Sequence, residues 1–224
     1  MSDVIKEIEE SQSKKYGRGK SWEHCYLFFR DHEKFSNNEG LLDFAALHLG
    51  FFIASWGMLR GSSFLLQKDY KFYVPVVEIL INKKYDKLWN INFLATPQEE
   101  DISLLFQLKK ELENKISENY KAEAEDNKEE HEMNLIITKI IMGTMGCVPG
   151  YDQYFKNGVK IEFNKNCSFN KKSFKNLLDL VKNDKFKNIF LKSPSLKRTN
   201  IKYPSMKLLD LYFWLLGKQK EMEK

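Results

Sequence analysis

Apolar residues recur along this chain at helical rather than strand spacing. Trp22, Cys25, Tyr26 and Phe29 stand at i, i+3, i+4 and i+7, with Ser21 before them as a candidate cap. Residues 40–60 are nearly all apolar and end at Arg60-Gly61-Ser62-Ser63. That pattern predicts a buried central helix with Arg60 against its negative end. A third helix is expected to start at Pro75 and to carry Val77, Leu80, Ile81, Leu88 and Trp89. Thr96-Pro97-Gln98-Glu99 reads as a capping box, behind which Ile102, Leu105, Leu108, Leu112 and Ile116 trace one stripe to about Tyr120.

The helical pattern resumes from Met133 to Met142 and leads into a Gly/Pro turn. A short helix is expected from Asp152 to Phe155, closed by Asn157-Gly158. Val159-Lys160-Ile161-Glu162-Phe163 alternates apolar and polar, which reads as one arm of a small β-hairpin. Helices near 171–183 and 205–217 complete the chain. The expected fold is all-α: a single compact multi-helix domain with one small hairpin near 159–163. Within it, 1–120 form an N-terminal helical part and 121–132 an acidic linker or helix extension. Residues 133–224 form a C-terminal helical part.

At 224 residues the chain is long enough for a sizeable core, and 30% charged residues describe a heavily charged surface. The net charge of +5 is unevenly spread. Residues 123–132 are acidic, whereas 151–210 hold 14 Lys/Arg against 5 Asp/Glu. A basic half points to an anionic partner, DNA first. It equally describes a solvated lysine face.

Three scattered cysteines without C-x-x-C spacing argue against a disulfide frame or zinc site and for a reducing, cytoplasmic setting. The start MSDVIKEIEESQSKK lacks the apolar stretch of a signal peptide. Residues 41–59 approach the length of a membrane span but contain Asp43 and His48, so no membrane association is expected. His24 and His32 stand two turns apart, His48 and His131 are isolated, and neither metal nor cofactor is expected.

The stretch from Lys139 to Asp152 carries the most specific candidate chemistry. Lys139 lies among Ile136, Ile137, Ile140 and Ile141, surroundings that can desolvate an amine and make it a nucleophile. The turn Gly146-Cys147-Val148-Pro149-Gly150-Tyr151 allows Asp152 to fold back toward it. The structural alternative is that Lys139 reaches water from its helix and Asp152 caps the next one. Arg60 between Gly57 and Gly61, with the amides of Ser62 and Ser63, is a candidate phosphate contact. Cys147 reads as a buried, inert thiol.

A lysine on an apolar helix, a turn ending Pro149-Gly150-Tyr151-Asp152, and a late helix Asp210-Leu211-Tyr212-Phe213-Trp214 together resemble helix-hairpin-helix DNA glycosylases. The likeness is to the bacterial proteins similar to 8-oxoguanine DNA glycosylase, and it covers the C-terminal part of the chain. It implies a DNA-repair enzyme in which Lys139 attacks the sugar carbon and forms a Schiff base, while Asp152 stabilises the developing positive charge. Together with the Arg60 turn and the basic half, it gives as candidate DNA contacts Arg60, Gly143, Gly146, Tyr151, Tyr154, Lys156, Lys171 and Lys172, with Tyr151, Tyr154 or Phe155 available for stacking. The chain departs from that family in having its glycines after the lysine. The alternative is a non-enzymatic helical domain that binds a protein partner, with Lys139 and Asp152 structural.

Overall fold

The computed structural model describes residues 2–35, 38–61, 63–95, 97–118, 128–191, 193–196 and 199–222. Among these residues the fold is all-α, with ten α-helices, short 3-10 turns, and a single bridge between Ser195 and Lys202. The helices are α1 (Ser2–Ser13), α2 (Gly19–Phe29), α3 (Glu39–Ser55), α4 (Val74–Leu80) and α5 (Glu99–Glu118). They continue with α6 (Lys128–Thr144), α7 (Gln153–Phe163), α8 (Lys171–Leu180), α9 (Asp184–Leu191) and α10 (Ser205–Met222). No helix among the described residues is long and apolar enough to cross a membrane.

The core is built around α6. Every residue from 136 to 151 is buried, so this segment is covered on all sides rather than along one stripe. α2, α3 and α5 all pack against it. Trp22 Nε1 donates to Met142 O at 2.9 Å, tying α2 to it. Gly143 lets the Phe52 ring of α3 lie directly on the helix, because a Cβ there would come within 2.2 Å of Phe52 Cε1.

α7 and α10 approach until their backbones touch. A Cβ on Gly158 would lie 1.9 Å from Phe213 O, and one on Gly217 would lie 2.0 Å from Tyr154 O. Phe155 and Phe213 meet edge to face in the same seam, with ring centres 5.5 Å apart.

Several local expectations change. Val159–Phe163 is the second half of α7 rather than a strand, and Gly158 sits inside the helix as a packing glycine rather than closing it. α3 ends at Ser55, well before Arg60. Gly57 takes φ +75 there, and Met58 N donates to Ile53 O at 3.2 Å, which satisfies the final carbonyls. The third helix stops at Leu80, and Leu88 and Trp89 belong to a separate 3-10 stretch, Lys83–Trp89.

Ser21 lies inside α2, where its hydroxyl donates to Arg18 O at 2.7 Å. Thr96 lies outside the described residues, as does 121–127 of the acidic segment. The first turn of α5 is instead closed by Asp101, whose Oδ2 accepts from Gln98 N at 2.9 Å. α1 and α9 are additions to the expected helices.

Candidate functional site

Lys139 and Asp152 come together because of how α6 ends. Gly146 adopts φ +68 and donates its amide to Ile141 O at 3.0 Å, closing the helix. The chain then returns along α6 through Pro149 and Gly150. Tyr151, at φ +41, makes the last reversal before Asp152; a bulky residue holds this left-handed conformation only where packing enforces it. Its ring is buried against Phe155 and Phe169.

Asp152 serves both helices. Its Oδ1 accepts from Phe155 N at 3.0 Å and caps α7, and its Oδ2 accepts from Lys139 Nζ at 2.7 Å. The side chains are 3% and 19% exposed, so the lysine charge is nearly desolvated and the carboxylate is its way out to solvent. A buried charge without such a partner costs several kcal/mol. Asp152 thus caps the next helix as the structural alternative expected, whereas Lys139 ends on the carboxylate rather than in water.

A second pair lies next to the first. Lys207 Nζ donates to Asp210 Oδ2 at 2.7 Å, with both side chains almost wholly buried. The other oxygen, Asp210 Oδ1, accepts from Gly150 N at 2.8 Å, and Gly150 O accepts from Thr138 Oγ1 at 3.0 Å. The peptide groups flanking Gly150 are thus clamped at both ends. The Trp56 ring is shared: Lys139 Nζ lies 5.0 Å and Lys207 Nζ 4.8 Å from its centre.

Burial pulls the Lys207 amine below the usual lysine range and nearby Lys139 adds to this, while Asp210 works the other way. Burial would raise the Asp210 carboxyl, but Lys207, Lys139 and the Gly150 amide together hold it below the usual range.

Two cavities open on these pairs. The larger, about 580 Å3, is lined by Lys139 and Asp152 with Arg18, Arg60, Trp56 and Tyr154 among its walls. The smaller, about 240 Å3, is lined by Lys207 and Asp210 together with Trp22 and Lys14. Arg18, Trp56, Trp214 and Lys218 belong to both. The Arg18 guanidinium lies over Trp56 and the Lys218 amine over Trp214, so two lining cations rest on lining rings, and Glu132 adds a carboxylate to the larger cavity.

The other anticipated contacts divide. Arg60 is exposed and lines the larger cavity, although Ser62 beside it lies outside the described residues. Tyr154 also lines it, edge-on to Trp214. Gly143 and Gly146 are interior packing positions: the Gly146 amide is spent within α6, and its Cα faces Pro204 and Tyr26. Tyr151 and Phe155 are buried in the core, so neither presents a face to a base.

Lys156 is half-buried, Lys171 pairs with Glu99 at 2.9 Å, and Lys172 is exposed; none of the three lines the cavity. Burial pushes the Cys147 thiol up to about 12, in keeping with an inert side chain. No cluster of potential metal ligands occurs among the described residues.

Trp56, Lys207, Arg18 and Lys218 were not anticipated as site residues. One signal was available: Lys207 and Asp210 stand at i and i+3 in an otherwise apolar helical run, the spacing of a buried ion pair. Compared with protein-family models, curated proteins and solved structures, the chain shows no match.

Proposed function

We propose that this protein binds DNA and reacts with the sugar of a damaged or abasic nucleotide through the Lys139 amine. The observation that carries this reading is the Lys139–Asp152 contact of 2.7 Å on the wall of a cavity of about 580 Å3 whose other walls include Arg18, Arg60 and Lys218. Cations of that kind suit a phosphate backbone, and Trp56, Tyr154 and Trp214 offer aromatic surface to a nucleotide withdrawn from the duplex.

The chemistry needs a free amine. Asp152 is in contact with the ammonium and is positioned to take its proton. At an abasic sugar, the amine adds to the aldehyde carbon, and loss of water leaves a protonated imine beside the Asp152 carboxyl. At an intact damaged nucleotide, the amine bonds to C1′ as the glycosidic bond breaks. That bond's electron pair departs with the base, which takes up a proton from solvent. The C1′–O4′ bond then opens, O4′ takes a proton from the nitrogen, and the same protonated imine results.

Borohydride tests the proposal by reducing the imine to a stable secondary amine. Duplexes carrying an abasic site or oxidised bases should yield a covalent protein–DNA adduct that is lost in Lys139→Gln. Absence of an adduct on every such duplex would overturn it.

A second reading, a protein-interaction domain, is favoured by one feature. Phe44, Leu47 and Phe51 of α3 are 48%, 45% and 68% exposed and follow helical spacing. Lack of DNA binding even at low salt would leave that reading in front.

A further inference from the structure

The smaller cavity, about 240 Å3, takes no part in the Lys139 chemistry, and its walls carry excess positive charge. Among the described residues, Lys14, Arg18, Lys207 and Lys218 line it against one carboxylate, Asp210. Lys207 and Asp210 neutralise each other at 2.7 Å, which leaves three cations around one small space. We infer that this cavity binds a phosphate monoester of sugar-phosphate size, held by Lys14, Arg18 and Lys218.

Three observations distinguish it from a solvated lysine face. First, none of the three cations pairs with a carboxylate among the described residues, whereas lysines elsewhere on the surface, such as Lys84, Lys182 and Lys185, do. Like charges gathered without counter-charges repel, and a bound anion relieves that repulsion. Second, two of them are seated on rings of the wall. Arg18 lies 5.3 Å from the centre of Trp56, and Lys218 lies 4.8 Å from that of Trp214. Third, the buried Lys207 ammonium has three donors but bonds only to Asp210 Oδ2 and, at 3.8 Å, to Met142 Sδ. One donor is left for a ligand oxygen.

Other acids do not cancel this charge. Glu23 accepts from Tyr203 Oη and does not line the cavity, and Glu132 and Asp152 line only the larger one.

The walls also narrow the ligand. A phosphate monoester carries nearly two negative charges at neutral pH and three terminal oxygens, one for each cation. A backbone diester carries one charge and continues on both sides, which suits a groove better than a small cavity. The rings are already engaged: Trp22 stacks on Tyr26 and Tyr203, and Trp56 faces Arg18, Lys139 and Lys207. The organic body is therefore small and non-aromatic, a sugar set beside Ile8 and Leu211. Such a group is found free or at the phosphorylated end of a nucleic-acid strand.

Trp22, Trp56 and Trp214 are three of the four tryptophans, so the fluorescence of the full chain reports on this cavity. Ribose 5-phosphate should change it saturably, and ribose should not. Lys14 lines only the smaller cavity and Arg60 only the larger, so variants of the two locate the ligand. Lys14→Gln and Lys218→Gln should each weaken ribose 5-phosphate binding about tenfold, the loss of one charged hydrogen bond. Both residues are exposed, so neither change should unfold the chain. Arg60→Gln and Lys172→Gln should leave binding unchanged.

A 5′-phosphorylated oligonucleotide that binds tighter than its 5′-hydroxyl counterpart, with the gain lost in Lys14→Gln, would assign the phosphate to a strand end. Equal binding of the two would assign it to a free sugar phosphate. No saturable response to ribose 5-phosphate, or weakening in Arg60→Gln with Lys14→Gln unaffected, would overturn the site. No borohydride enters these titrations, so failed trapping with this site intact counts against the Lys139 chemistry alone, and the reverse against the phosphate site alone.

Discussion

Gly150 lies so close to Lys139 that a methyl group on it would come within 2.6 Å of the amine nitrogen and 3.0 Å of Cε. The side chain that must yield is the one proposed as the nucleophile. Gly150→Ala should therefore displace the amine from Asp152 and lower borohydride trapping by about tenfold or more. The stability loss should be about 3 kcal/mol or more, because the displaced ammonium stays buried without its carboxylate partner. Trapping and urea denaturation of the same preparation check both parts. Undiminished trapping would show that the amine's present position is not the working one.

Gly158 offers the opposite case. Its neighbour is the Phe213 carbonyl, 1.9 Å from where a Cβ would sit, and backbone cannot swing aside. Gly158→Ala should force α7 and α10 apart and cost about 3 kcal/mol or more, at the upper end of overpacking effects. Gly40→Ala meets nothing closer than 3.4 Å and should change stability by less than about 1 kcal/mol. Denaturation midpoints for the two variants provide the comparison. Equal midpoints would mean that the α7–α10 approach is looser than described.

These glycines also show what could be read from the sequence. All-round apolar stretches such as 136–142 and 206–216 announced buried helices, and both α6 and α10 formed there. The strand expected at 159–163 does not form, because Gly158 is a packing position inside α7 and not a turn. Phe155, Val159 and Phe163 stand at i, i+4 and i+8, a helical spacing that continues straight through the glycine. A packing glycine and a turn glycine look alike until the partner backbone is known.

The approach of Lys139 and Asp152 was legible, since the Gly/Pro turn between them is short. The second pair was not, because nothing local ties Asp210 to Gly150; only the packing of α10 brings them together. Trp56 was hidden for the same reason, its role arising from two lysines distant in sequence.

His32 should make stability depend on pH. It is 8% exposed, its ring stacks on Trp89 at 3.8 Å, and its Nδ1 has no partner. Burial lowers its pKa, with Arg30 adding and Phe29, Asp86 and Glu33 opposing. Between the folded value and the unfolded value of about 6.5, the unfolded chain binds a proton that the folded one lacks. Stability should therefore rise with pH across that window and level off above about 6.5.

His32→Phe keeps the stack and should flatten the rise. His48, also lowered mainly by burial, leaves a residual slope. Thermal midpoints measured from pH 5 to pH 7.5 decide it (the range spans the unfolded value). An unaltered slope in His32→Phe would assign the effect elsewhere.

Arg60 separates a DNA surface from a merely charged one. It is exposed at the rim of the larger cavity and lies close to Gly57, whose left-handed turn ends α3. Loss of a phosphate contact weakens binding by similar amounts on all sequences and reduces the salt slope by about 1. Arg60→Ala should do this on an abasic duplex, measured by fluorescence anisotropy over a salt series. Lys172→Ala removes an exposed cation outside the cavity and should leave the slope unchanged. Equal slopes for wild type and both variants would mean that DNA, if held at all, lies away from the cavity. The Lys139 amine would then have no route to a sugar.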